Sequence, residues 1–122
     1  VNELLSSLPI SYLKWDHNRD LTSAGDAEGR AAYRRQVRAA YNLMERLHSA
    51  HPAVEIEACA GGGGRSDAGI LAHTHRIWAS DCLDAPMRLS VQRGFLQFLP
   101  PEVMGSHVGA APAHSTGRAQ SM

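Results

Sequence analysis

Apolar and polar positions recur along this chain in two periods. Residues 1–8 (VNELLSSL) read as the last turns of a helix stopped by Pro9. Residues 10–16 form an apolar and aromatic run that turns charged at its end, the pattern of a strand covered on both faces. Residues 17–29 are polar and read as a loop at that strand's C-terminal end. From Arg30 to about Ser49, the residues Tyr33, Val37, Ala40, Tyr41, Met44 and Leu47 recur every three or four positions. That spacing predicts a helix with this stripe in the core, ended by His51-Pro52. Residues 54–59 are a second strand, running directly into Gly61-Gly62-Gly63-Gly64. Residues 70–75 predict a short helix or turn, and residues 76–81 a third strand ending in a carboxylate. A helix over 87–98 follows, entered through Asp84-Ala85-Pro86 and closed by Pro100-Pro101. Residues 103–108 are a fourth strand, and 110–122 a small-residue, polar tail.

Strands alternating with helices predict a parallel sheet with right-handed crossovers. Every expected strand carries candidate chemistry at its C-terminal end: Asp16, Cys59 with the glycines, Asp81 and His107. Ligands of barrels and of doubly wound sheets bind at that end. Neither GxGxxG nor GxxxxGK[ST] is present, which favours a barrel over a dinucleotide-binding fold. The expected fold class is therefore α/β, a partial (β/α)8 TIM barrel, since four strands are half of eight.

Composition narrows the function. The chain has 122 residues, one domain or a piece of one, with twelve basic and twelve acidic side chains. A net charge of zero argues against a nucleic-acid partner, and no apolar run is long enough for a membrane span. Val1 in mid-helix pattern predicts that the chain begins inside a larger protein. Two cysteines, Cys59 and Cys82, give neither a disulfide framework nor a metal-ligand spacing, so the expected setting is cytoplasmic, with no metal and no cofactor.

Lys14 and Asp16 lie two apart on the first strand and so share a face. Lys14 is the chain's only lysine, and its ammonium favours an ionised Asp16, as a nucleophilic or substrate-binding carboxylate requires. Alone, the pair reads equally as a strand-end ion pair. Asp81 follows Trp78, whose indole helps to desolvate a carboxyl group that must hold a proton. The glycine run admits a close ligand approach, or an anion cradled on backbone N–H groups beside Arg65. Arg65 is expected to pair with Asp67 and fix the loop. Cys59 reads as a small pocket-lining residue, Trp15 as packing between sheet and helix, Asp84 as a helix cap. His107 and His114 read as hydrogen-bonded residues shaping the mouth of the barrel.

Five blocks in order, KWDHNR, EACAGGGGRSDAG, IWASDCLDA, MGSHVGAAP and HSTGR, closely resemble the catalytic barrel of α-galactosidases of glycoside hydrolase family 36. The resemblance covers residues 10–118 and implies roughly the fourth to seventh βα units, so that 1–122 is a fragment of a glycosidase catalytic domain. It implies Asp16 as nucleophile and Asp81 as general acid/base of a retaining hydrolysis of terminal α-galactosides of the melibiose and raffinose type. It also implies that Lys14, Asn18, Cys59, Gly61, Gly62 and Trp78 contact or flank the sugar. An α-galactoside oligosaccharide is the implied partner, and a homo-oligomeric parent is allowed. Galactosyl transfer of the raffinose-synthase type would use the same carboxylates. An inactive truncated piece and a non-catalytic module holding a phosphorylated ligand at the glycines are the other readings. Ala-Cys-Ala stands where the family often has Ser-Cys-Ser, and Ser-Asp-Cys-Leu-Asp where it often has Ser-Asp-Asp-Thr-Asp. The family's N-terminal β-sandwich, its early barrel strands and its last strand are not among these blocks.

Overall fold

The computed structural model of the chain describes residues 1–19, 21–107 and 112–118. Its elements are α1 (Asn2–Ser7), β1 (Tyr12–Asp16), α2 (Tyr33–Ala50), β2 (Glu55–Cys59), α3 (Ala68–Leu71), β3 (Arg76–Trp78), α4 (Ala85–Phe95), a 3-10 turn (Pro101–Val103) and β4 (Met104–Gly105). The strands form one parallel sheet in the order β1-β2-β3-β4. A doubly wound sheet reverses its strand order at a switch point. The unbroken order here is that of a barrel sector, a partial (β/α)8 barrel.

Register sorts the side chains onto two faces. Lys14 lies opposite Glu57, Asp16 opposite Cys59, Glu57 opposite Arg76, and Trp78 opposite Gly105. Alternation therefore puts Tyr12, Lys14, Asp16, Glu55, Glu57, Cys59, Arg76 and Trp78 on one face. Leu13, Trp15, Ile56, Ala58, Ile77 and Met104 fall on the other. The second face is the core: Ile56, Ala58 and Ile77 are buried with Met44 and Leu47 of α2 and Ile70 of α3. Leu13, Trp15 and Tyr41 pack at its margin, so Trp15 sits between sheet and helix as its alternation predicts.

Several expected boundaries move. β1 starts at Tyr12 rather than residue 10, and it is not covered on both faces: Tyr12, Lys14 and Asp16 are exposed while Leu13 and Trp15 are half-buried. Its outward residues are polar or amphipathic, and no described element lies over them. Tyr33 and Val37 are exposed, not core. Helix α2 has 18 residues, whereas no strand among the described residues exceeds five. At 1.5 Å per residue, against about 3.3 Å in a strand, its first turns overhang the sheet. β3 ends at Trp78, and Asp81 belongs to the bend after it. The helix expected over 87–98 is α4, which begins at Ala85 behind its Asp84 cap. β4 is two residues long, and Val108 of the expected strand lies outside the described residues, as do 110, 111 and 119–122 of the tail.

Met44 is fully buried at the centre of this core. Met44→Ala is expected to destabilise the fold by about 2–5 kcal/mol, measured by urea unfolding, because the sheet and α2 cannot both close on the cavity.

Candidate active site

The charged face of the sheet ends in a cluster built from three strand ends. The β1 end carries Asp16. The Asn18 amide donates to the Asp16 carboxylate at 3.1 Å, while its Oδ1 accepts from the Gly61 N–H. One side chain thus ties the carboxylate to the glycine turn. Beside it on β2, the Cys59 thiol is pushed up from its ordinary value. Burial is the main cause, opposed by the Gly62 N–H, and the adjacent Asp16 carboxylate adds to it. A thiol so placed is a poor nucleophile, which fits a lining role.

The glycine turn serves two purposes. Gly61 and Gly62 both take positive φ, at 58° and 74°. A Cβ on Gly61 would meet nothing within 4 Å, so that position faces open space. A Cβ on Gly62 would lie 2.9 Å from the Ser80 Cα and 3.0 Å from the Asp81 N, and one on Gly63 2.8 Å from the Ala79 carbonyl. The turn is therefore pressed against the backbone that carries Asp81. This is a different need for glycine from the ligand approach that the sequence suggests, and it operates at Gly62 and Gly63.

Arg65 does not pair with Asp67. Its guanidinium donates to the carbonyls of Trp15 (3.2 Å) and Cys59 (2.9 Å), fastening the ends of β1 and β2. Asp67 instead caps α3 by accepting from the Ile70 N–H at 2.9 Å, and it accepts from the Tyr41 hydroxyl at 3.0 Å. With Arg65 so engaged, the anion-cradle reading of the glycine run loses its cation.

On β3 the Trp78 indole N–H donates to the Asp81 carboxylate at 2.9 Å. Trp78 thus acts on Asp81 as a hydrogen-bond donor, not only as an apolar neighbour. Its ring also stacks on His107, with centroids 4.7 Å apart, and lies 4.0 Å from the Lys14 Nζ. Lys14 makes its ion pair with Glu57 at 3.6 Å; the sequence-based pairing with Asp16 is not formed. The His114 ring approaches the Asp84 carboxylate at 3.4 Å.

Two participants carry no motif that the sequence made plain. Arg88 of α4 is buried and donates to the carbonyls of Ser80 (3.2 Å) and Cys82 (3.0 Å), on both sides of Asp81. Glu57 is buried on the charged face and accepts from the Tyr12 hydroxyl. For Glu57 the signal was present: Glu55, Glu57 and Cys59 alternate with apolar residues, so the strand is half polar. For Arg88 there was none beyond its place in the first turns of α4. Asp84, buried by the cap, also accepts from the Ser115 N–H and hydroxyl and so anchors residues 112–118.

Fold and cluster together define a sector of a (β/α)8 barrel whose polar side chains gather at the C-terminal end of its parallel sheet. The sequence matches the melibiase family over residues 1–122, and the chain belongs to that family. It is 50% identical over 119 residues to an Escherichia coli α-galactosidase, covering 98% of this chain and 17% of that protein. It is 45% identical over 112 residues, 92% of this chain, to a bifunctional α-galactosidase/sucrose kinase of Mediterraneibacter gnavus, of which it covers 12%. Among solved structures it superposes on the GH36 α-galactosidase AgaA of Geobacillus stearothermophilus with a TM-score of 0.84 at 38% identity, over 98% of this chain and 17% of that one. Variants of AgaA are solved with raffinose and with stachyose. The chain spans about a sixth of the length of the curated relatives it matches.

Two outcomes follow from the geometry. Gly62→Ala introduces both a left-handed strain and a backbone clash, and it is expected to destabilise the fold by about 1–3 kcal/mol in thermal melts. The Ser115 N–H first, then the Ser115 hydroxyl and the Met87 N–H, outweigh burial and hold the Asp84 carboxyl below the ordinary carboxylate range. Its contribution is therefore fully present above about pH 3.9, the unfolded value, and is lost as pH falls through the folded value. Asp84→Asn should lower the melting temperature at pH 7 and flatten its decline below about pH 4.

Proposed function

We propose that this segment carries both reacting carboxylates of a retaining α-galactoside hydrolase. Asp16 attacks the anomeric carbon while Asp81 gives its proton to the departing glycosidic oxygen. Asp81 then takes a proton from water, whose oxygen displaces Asp16 from the sugar and regenerates both groups. Asn18 orients the nucleophile, and Lys14, Cys59, Gly61 and Trp78 line the approach of the galactose. The observation that supports this most is the closure of the Gly62 turn on the Ser80–Asp81 backbone, which joins the ends of β1 and β2 to the bend that carries Asp81. The family's α-galactosidase relatives, and the raffinose and stachyose complexes of one of them, supply the substrate class.

In a full-length chain that contains this segment, Asp16→Asn should lower turnover of an aryl α-galactoside on the order of 10⁴-fold. Asp81→Ala should harm raffinose, with its poor leaving group, far more than an activated aryl galactoside. Near-normal turnover of the first variant, or equal loss on both substrates in the second, would contradict the assignment.

A further inference from the structure

Glu57 is a buried carboxylate on which three strands converge. Its side chain is 6% exposed, against 40% for its partner Lys14. From β1, the Tyr12 hydroxyl donates to one oxygen and the Lys14 ammonium lies 3.6 Å from the other. From β4, Gly105 leaves room, since a Cβ there would overlap the Glu57 carboxylate. The Tyr12 phenol is pushed well above its ordinary range, by burial first and then by its bond to Glu57, so it is a donor at neutral pH. A group so enclosed, with both oxygens engaged, has one orientation.

We propose that Glu57 is a positioning residue for the reaction: it holds the Lys14 ammonium at the floor of the sugar site, and Tyr12 and Gly105 hold Glu57. This rests on the α-galactosidase reading. A lysine stem has four rotatable bonds and no fixed fork, so an unanchored ammonium must be ordered by the substrate. Here Glu57 on one side and the Trp78 ring at 4.0 Å on the other fix it beforehand. Asp16 takes its hydrogen bond from Asn18 instead, which leaves it uncommitted to Lys14.

The test uses a full-length chain containing this segment. Glu57→Gln keeps the shape and removes the charge. KM for an aryl α-galactoside should rise roughly 10–100-fold with a smaller fall in kcat, as expected for a lost binding contact. Glu57→Asp should recover part of the loss, and Tyr12→Phe should shift KM the same way by less. Lys14 is the sole lysine of these 122 residues, so its acetylation rate can be read from the peptide that contains it. That rate should rise in Glu57→Gln and in Tyr12→Phe. If Glu57→Gln does not fold, Tyr12→Phe and its labelling rate decide. Unchanged KM and unchanged Lys14 labelling, with Asp16→Asn inactive, overturn the proposal alone. Full turnover by Asp16→Asn overturns the α-galactosidase reading instead.

Discussion

The structure depends on one close approach of backbone to backbone. Gly62 lies against the Ser80 Cα at a distance that leaves no room for any side chain. That contact sets how far the end of β2 stands from the bend after β3, and hence how Asp16, Asn18 and Cys59 stand relative to Asp81. Positive φ at Gly61 and Gly62 turns the chain back to make the contact. Arg65 and Arg88 then fasten it from either side, one on the carbonyls of Trp15 and Cys59, the other on those of Ser80 and Cys82. The half-buried guanidinium of Arg65 and the buried one of Arg88 thus each bridge two backbone carbonyls, at the ends of β1 and β2 and in the bend after β3.

The second constraint is charge on the polar face of the sheet. Burying Glu57 without partners would cost several kcal/mol. Tyr12 and Lys14 remove that cost, and in doing so place the ammonium over Trp78. Trp78 in turn reaches Asp81 through its indole N–H and stacks on His107. The polar face is thus a chain of contacts running from the floor at Glu57 to the carboxylate after β3. The apolar face supplies the rigidity: Ile56, Ala58 and Ile77 are locked against α2 and α3. A network on a fixed sheet holds its geometry better than the same groups on loops.

The alternation of apolar and polar residues made the element order and the parallel sheet legible, because period two and period 3.6 are hard to confuse over these lengths. It also made Met44 legible as core and Asp84 as a cap. Coverage was not legible. A strand such as β1 reads as buried on both faces when its outward residues are an aromatic and the stem of a lysine, which are amphipathic. The overhang of α2 depends on relative lengths in space, so Tyr33 was misread. In the site, the strand-end positions Asp16 and Cys59 were legible from local pattern. The partners were not: Arg65 chose carbonyls over Asp67, Lys14 chose Glu57 over Asp16, and Arg88 arrived from a helix. Each is settled by tertiary proximity that no local spacing encodes.

The central claim is that Asp16 forms the covalent bond to the sugar. The most direct measurement is to treat a full-length chain containing this segment with a 5-fluoro-galactosyl fluoride, which slows release of the glycosyl-enzyme, and to map the added mass by peptide sequencing. The account predicts one galactosyl adduct, on Asp16. An adduct on Asp81, Glu57 or Cys59, or rapid turnover with no adduct anywhere, would contradict it.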